Sequence, residues 1–288
     1  MFDNVTTLLT ENRALFSVVA GIFGVAIGSF INVVVHRLPI MMERQWRAQT
    51  QEQPETDPPD ERFDLSSPGS HCPHCSHRIT ALENIPVLSY AFLRGKCSGC
   101  GAHISLRYPL VELLTGILTA AVGWHFGFGW EAAAGSILTW YLVTLSFIDY
   151  DTQLLPDALT LPLIWLGLLA SLGPLWVDSP TAIVGAVAGY LLLWCVFHAF
   201  RLATGKEGMG YGDFKLLSAL GAWLGWKMLG VIVLLSSAAG AVLGIMLMLL
   251  RDHGRDKPIP FGPYLAIAGW LAMMWGPTLL TWYLHAAA

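Results

Sequence analysis

Eight apolar runs, at residues 15–35, 109–126, 131–148, 156–172, 181–200, 214–226, 229–250 and 261–283, restrict what this chain can become more than any other feature. Inside a bilayer every backbone N–H and C=O must find its partner within the segment, so such runs fold as helices. Charged residues make up 12% of the chain, about half the share found in water-soluble domains, and the mean hydropathy is +0.56. The expected architecture is an all-α polytopic membrane protein with about eight transmembrane helices. Glycine and proline breakers such as Gly127-Phe128-Gly129 and Gly173-Pro174 separate the runs. In the first run, Gly24 and Gly28 have the spacing that lets two membrane helices approach closely. Asn32 is polar at membrane depth, where an interhelical hydrogen bond is its ordinary use.

One long hydrophilic stretch, residues 38–106, interrupts the pattern. Its middle, residues 45–70, is rich in Gln, Glu, Asp, Pro and Ser and reads as a flexible connector. From His71 onward, cysteine pairs and the apolar residues Ile79, Ile85, Val87, Leu88, Tyr90, Phe92 and Leu93 predict a small folded unit. The expected division is a first membrane helix in 1–38, a connector in 39–70, a four-cysteine domain in 71–106 and a multi-helix membrane domain in 107–288. Residues 1–13 carry Asp3 and Glu11 and predict no cleavable signal. Alternating the spans puts 14 of the 16 basic residues on one side, leaving only Arg13 and Lys227 opposite. By the positive-inside rule that side is cytoplasmic, both termini face outward, and Asp149 and Asp213 fall at cytoplasmic ends of spans. With no basic face, nucleic-acid binding is excluded.

Four of the five cysteines form two C-x-x-C pairs, Cys72/Cys75 and Cys97/Cys100, with 21 residues between them. The text after each pair is similar, C-P-H-C-S-H-R-I and C-S-G-C-G-A-H-I, which suggests two like knuckles around one tetrahedral site. Four thiolates close the coordination sphere of Zn(II), the pattern of a structural zinc. A cytoplasmic location argues against stable disulfides. A redox pair, or a ligand drawn from His71, His74, His77 or His103, is the alternative. Cys195, inside an apolar run, reads as a small hydrophobe.

Two carboxylates stand at the ends of apolar runs. Asp213 follows the glycine-rich turn Gly208-Met209-Gly210-Tyr211-Gly212, whose bare backbone lets another segment come close. Placing an ionised Asp at the bilayer centre costs about 2.5–3.5 kcal/mol, so an acid at membrane depth needs a partner or a water-filled site. Asp149 continues from an apolar helix, at the end where the helix dipole opposes a negative charge. Asp157 follows Pro156 in the first turn of the next run, where the dipole favours it. Two carboxylates brought together share one proton, the chemistry of an aspartic protease. The dipole signs make Asp213 the expected base and Asp149 the expected proton holder.

The chain resembles the type IV prepilin peptidases, bifunctional leader peptidases and N-methyltransferases, through five ordered blocks. These are Gly28-Ser29-Phe30-Ile31-Asn32 running to Pro39, the double C-x-x-C, Arg107-Tyr108-Pro109-Leu110-Val111-Glu112-Leu113, Ile148-Asp149 through Leu155-Pro156-Asp157, and Gly210-Tyr211-Gly212-Asp213-Phe214-Lys215. The resemblance implies Asp149 and Asp213 as catalytic aspartates, with Gly210 and Gly212 completing a G-x-G-D signature. Lys215 is matched too, as a supporting residue or a headgroup-seeking lysine. It further implies basic leaders of prepilins or pseudopilins as substrates, an inner-membrane location, and S-adenosylmethionine as methyl donor. Gly95 matches a position on the methyl-transfer side. Glu112 is read first as a buried partner of Arg107, and second as a carboxylate that helps the new amine lose its proton. No G-x-G-x-x-G unit is present, so any adenosylmethionine site must be built differently. Two other classes compete: an ion- or proton-coupled transporter using the two aspartates, and a non-enzymatic platform for a secretion apparatus.

Overall fold

The computed structural model describes residues 2–50, 63–206, 208–250 and 260–287. Among these the chain is helical: α1 (Phe2–Glu11), α2 (Arg13–Thr50), α3 (Leu88–Phe92), α4 (Arg107–Phe126), α5 (Trp130–Thr152), α6 (Asp157–Ala170), α7 (Ser179–Thr204), α8 (Tyr211–Leu224), α9 (Trp226–Leu250) and α10 (Gly262–Ala287). The described residues contain no strand, only isolated bridges between His71 and Arg78 and between Lys96 and His103. Each expected run lies on a helix, and six of these helices are long and apolar enough to cross a membrane. The other two, α6 and α8, have 14 residues each. At about 1.5 Å per residue they span about 21 Å, short of a hydrocarbon core about 30 Å thick.

The chain divides into two compact units, residues 1–132 and 133–288. In the first, Asn12 interrupts the N-terminal helix and caps the next, its Oδ1 accepting the Leu15 N–H at 2.9 Å. α2 and α4 approach along a line of small residues. A Cβ on Gly28 would sit 2.7 Å from the Glu112 Cα, and one on Gly24 would strike Thr119. Asn32 makes the expected interhelical bond, donating to the Tyr108 carbonyl at 3.1 Å. α2 then continues through Pro39 to Thr50, so residues 39–50, expected to open the connector, are helical. The buried Arg37 donates to the carbonyls of Asp64 at 2.9 Å and Pro68 at 2.6 Å, and Arg44 stacks on Phe63 at 4.3 Å. The far end of the connector is thereby tied to α2. Residues 51–62, with Glu52, Glu55, Asp57, Asp60 and Glu61, lie outside the described residues, as do 251–259.

The second unit is built around α8. From Asp213 to Leu224 every side chain of this helix except Lys215 is buried. A helix hydrophobic all round needs neighbours on every side, and α6, α7, α9 and α10 supply them. Backbone contact with α7 is close enough that a Cβ on Gly185 or Gly221 would land on the other glycine's carbonyl. Ser218 donates to the Ala186 carbonyl at 2.8 Å, and the Trp223 indole N–H donates to the Leu163 carbonyl of α6 at 2.8 Å. α10 is broken at Trp275, two residues before Pro277, whose ring has no N–H to give and clashes with the preceding turn. Elsewhere large apolar side chains point outward, among them Trp165, Val187 and Val242, as a lipid-facing surface requires. The protein is a multi-pass membrane protein.

Candidate active site

α8 starts at the glycine-rich turn, with Gly210 as its N-cap, so Asp213 is the third helical residue. From there its carboxylate reaches back to the Gly210 N–H, the reciprocal half of a capping box. The three glycines do different things. A Cβ on Gly212 would come within 2.6 Å of the Leu155 Cβ and one on Gly208 within 3.0 Å of the Phe200 ring, whereas one on Gly210 would meet open space apart from its own chain. Close approach by another segment, expected of the whole turn, is made at Gly212 and Gly208 but not at Gly210. Lys215 is tied down, donating to the Asp157 carboxylate at 2.5 Å and so linking α8 to the first turn of α6.

Asp149 lies in the last turn of α5, where its own helix offers it no N–H. The structure supplies one from elsewhere: the Gly262 N–H, at the first residue of α10, donates to Asp149 Oδ2 at 2.9 Å. Both carboxylates therefore sit at helix N-termini, and the dipole contrast used to rank them from sequence disappears. Asp149 is 5% exposed and Asp213 7%, and the two are close enough to repel each other electrostatically. Asp213 Oδ1 is buried and has no hydrogen-bond partner among the described residues. A buried polar atom left unpaired is costly unless something arrives to bond it. A ligand or water entering the site would be such a partner.

Gly262 was not singled out in the sequence. The available signal was modest: it opens the last apolar run, and alternation of the spans puts that end on the same side as both aspartates. A Cβ there would stand 2.7 Å from Asp149 Oδ2 and 3.2 Å from Leu155 Cδ2. Gly262→Ala is expected to displace the Asp149 carboxylate and slow turnover about 100-fold. The loss should fall on kcat rather than KM, measured by single-turnover cleavage of a membrane-embedded substrate.

The four paired cysteines converge as expected, all their sulfur atoms lying within 4.8 Å of one another. Cys72 and Cys100 sulfurs are 3.8 Å apart, and those of Cys75 and Cys97 3.9 Å. A tetrahedral ion with bonds of about 2.3 Å has ligand atoms about 3.8 Å apart, so the donor set fits such an ion. The knuckles are the same turn built twice. In each, the first cysteine's N–H bonds the carbonyl five residues on, Cys72 to His77 at 2.9 Å and Cys97 to Ala102 at 2.8 Å. The residue four positions on is left-handed, Gly101 at φ 73° and Ser76 at φ 57°. N–H groups of His74 and Cys75 hold the Cys72 thiol down to about 7, whereas the crowded sulfurs of Cys100, Cys72 and Cys97 push the Cys75 thiol up to about 12, so the protein alone does not favour four thiolates together.

Glu83, also missed, bridges the two knuckles. Its carboxylate accepts from the Thr80 N–H and hydroxyl, both at 2.8 Å, from Ser98, and from His77 at 3.3 Å. Thr80-Ala81-Leu82-Glu83 has the capping-box spacing that could have signalled it. Ser98 and the Thr80 N–H hold Glu83 down to about 2 from its usual 4.5. Its contribution is present above 4.5 and fades as the pH falls through about 2. Glu83→Gln is expected to speed thiol labelling of Cys75 and Cys100 several-fold at neutral pH, with variant and parent converging in acid.

Glu112 is buried, 8% exposed, and its Oε2 accepts the Val87 N–H at 2.7 Å. The Ser29 side chain hydrogen-bonds it as well. Its partners here are thus a backbone amide and a hydroxyl, where the sequence pointed first to Arg107. Val87 adopts φ 61°, unusual for a β-branched residue, while delivering that N–H. Gly95 is constrained twice: its φ is 68°, and a Cβ would come 2.6 Å from the Tyr90 hydroxyl.

Fold and site place the chain among the polytopic membrane proteins that bury a pair of aspartates where helices end. Residues 22–126 match the bacterial peptidase A24 N-terminal domain, and residues 136–245 match the type IV leader peptidase family. The prepilin leader peptidase/N-methyltransferase of Aeromonas hydrophila is 59% identical over 266 residues, covering 91% of this chain and 92% of the relative. Proteins of that name from Stutzerimonas stutzeri and Neisseria gonorrhoeae are 54% and 48% identical, covering 97% and 88% of both chains. The chain belongs to the type IV leader peptidase family. No solved structure matches it.

Proposed function

We propose that this enzyme removes the basic leader of type IV prepilins or pseudopilins with Asp149 and Asp213, then methylates the new N-terminal residue with S-adenosylmethionine. The observation that carries the peptidase reading is the unpaired, buried Asp213 oxygen beside an Asp149 fixed by the Gly262 N–H. One ionised aspartate takes a proton from water as the water oxygen attacks the scissile carbonyl. The protonated partner hydrogen-bonds the carbonyl oxygen and then gives a proton to the leaving amine. Gly212 and the Lys215–Asp157 pair support the reading by fixing where α8 begins.

The enzyme is placed in the bacterial inner membrane, with the aspartates and residues 71–106 cytoplasmic and both termini periplasmic, a reading supported by the distribution of basic residues. A substrate's apolar helix would stay among the spans while its leader emerges on the cytoplasmic side. Acidic residues before the knuckles, Glu43 and Asp64 among the described ones, favour a basic leader there. Cys72, Cys75, Cys97 and Cys100 hold a structural zinc, which ties the knuckles together and leaves no open position for catalysis. Gly95 and Glu112, both in the first unit with the knuckles, are assigned to the methyl-transfer side. Transport and scaffolding are not favoured, since relatives 48–59% identical carry the names of enzymes.

The test is to incubate purified protein in detergent with a precursor pilin and the methyl donor, and to follow the pilin by mass spectrometry. Loss of the leader and gain of one methyl group are expected. Cleavage that survives replacement of both aspartates would sink the peptidase assignment.

A further inference from the structure

The short helix α3 is apolar on both sides. Its inner side, Tyr90 and Leu93, lines a cavity of about 560 Å³ together with Glu112, and the Tyr90 hydroxyl donates to the Ile104 carbonyl at 3.3 Å. Its outer side carries Leu88 and Phe92, four positions apart and so on one face, and the turn before it adds Leu82 and Ile85. All four are exposed, Leu82 to 78% and Phe92 to 83%, beyond the 65% of Ile117 on the outward stripe of α4. A helix hydrophobic all round calls for an apolar neighbour on every side, and the described residues leave this side bare.

The level of this face relative to a bilayer follows from α4. That helix has 20 residues and measures about 30 Å, the full thickness of a hydrocarbon core, so its first residues, Arg107 and the half-exposed Tyr108, belong at the headgroups. Glu112 comes five positions after Arg107, about 7.5 Å further in. Its carboxylate holds the Val87 N–H at 2.7 Å, which draws the residues just before α3 to that depth. Segments that lie flat in an interface rest with their apolar side about 5–10 Å inside the headgroup boundary. The charge fits as well. Arg94 and Lys96 follow α3 and are exposed, while Glu83, the one acid in 82–96, is turned toward His77 and Ser98.

We propose that residues 82–96 form an anchor on a bilayer containing anionic phospholipid, with Leu82, Ile85, Leu88 and Phe92 among the upper acyl carbons and Arg94 and Lys96 on the headgroup phosphates. Long basic side chains reach such phosphates while their methylenes stay among the lipid tails. The anchor fixes the height of the knuckles at the membrane surface, and Glu112 sets that height by holding Val87. It depends only on the membrane class of the protein, and on neither peptide cleavage nor methyl transfer.

The test uses the full chain in nanodiscs containing phosphatidylglycerol, with a phospholipid carrying a diazirine on its acyl chain as probe. Light-induced label is expected on peptides from 81–94 as well as on 107–126. Leu88→Gln combined with Phe92→Gln is expected to cut the label on 81–94 about fivefold or more, with label on 107–126 and metal content like those of the parent. In discs of phosphatidylcholine alone, amide exchange in 85–96 should run several-fold faster than with phosphatidylglycerol, a difference that Arg94→Gln combined with Lys96→Gln removes. A parent chain labelled on 107–126 but bare on 81–94 overturns the proposal, as does unchanged label in the Leu88/Phe92 variant or exchange indifferent to lipid charge. Label on 81–94 from a diazirine in the apolar helix of an added precursor pilin, with none from the lipid probe, assigns the face to the substrate and overturns the anchor.

Discussion

Replacing Asp149 or Asp213 with asparagine is expected to lower the rate of leader removal by about 10³-fold or more, the scale of losing a positioned general acid or base. Asparagine keeps the shape and the contact with the Gly262 or Gly210 N–H, so the loss reports on proton transfer rather than on folding. The double replacement should cost little beyond either single one, because the two groups act in one step. Single-turnover cleavage of a precursor pilin measures all three. Methylation of a pilin supplied already cleaved should continue in each variant, since the residues assigned to it lie in the first unit. An additive double mutant, or a single variant retaining more than about a tenth of the parent rate, would show that the aspartates are not working as a pair.

The second large effect concerns the cysteines. Within residues 71–106 only Cys72 and Gly95 are buried, so this segment has almost no core of its own. Small domains in that position are held by their metal, and structural zinc contributes about 10–16 kcal/mol in isolated fingers. Metal analysis is expected to find one zinc per chain, and none after Cys72→Ser combined with Cys97→Ser. Without the ion, the knuckles should exchange amide hydrogens freely and become open to proteolysis, while α8 and its neighbours stay protected. Methylation should be lost along with the ordered knuckles. Protected knuckles in a metal-free parent chain would count against a structural ion.

Much of this site was legible in advance because its residues break local rules. Asp213 and Asp149 are acids at the ends of apolar runs, the four cysteines recur in matched text, and Asn32 is an amide in a membrane helix. Each is costly where it stands unless it has a partner. Gly262 and Glu83 were missed because neither breaks a rule in its own neighbourhood. A glycine before a proline and a glutamate in a polar loop are ordinary until another segment arrives. Residues 39–50 prolong α2 rather than opening a loop, because Met, Glu, Arg, Gln and Ala among them have helix propensity enough, and Arg37 gives the far end of the connector something to hold.

By itself the sequence determined the class of protein, since apolar runs in a bilayer have only helices to become, and it determined which side chains are expensive enough to need a purpose. Tertiary structure alone decided who satisfies them. It brought the α10 N-terminus to Asp149, left one Asp213 oxygen unpaired, and paired Glu112 with the Val87 amide at a cavity wall. The physical reason is one of range. Burial cost and helix propensity are properties of a residue and its near neighbours, whereas a hydrogen bond between residues 113 positions apart exists only once the helices between them have packed.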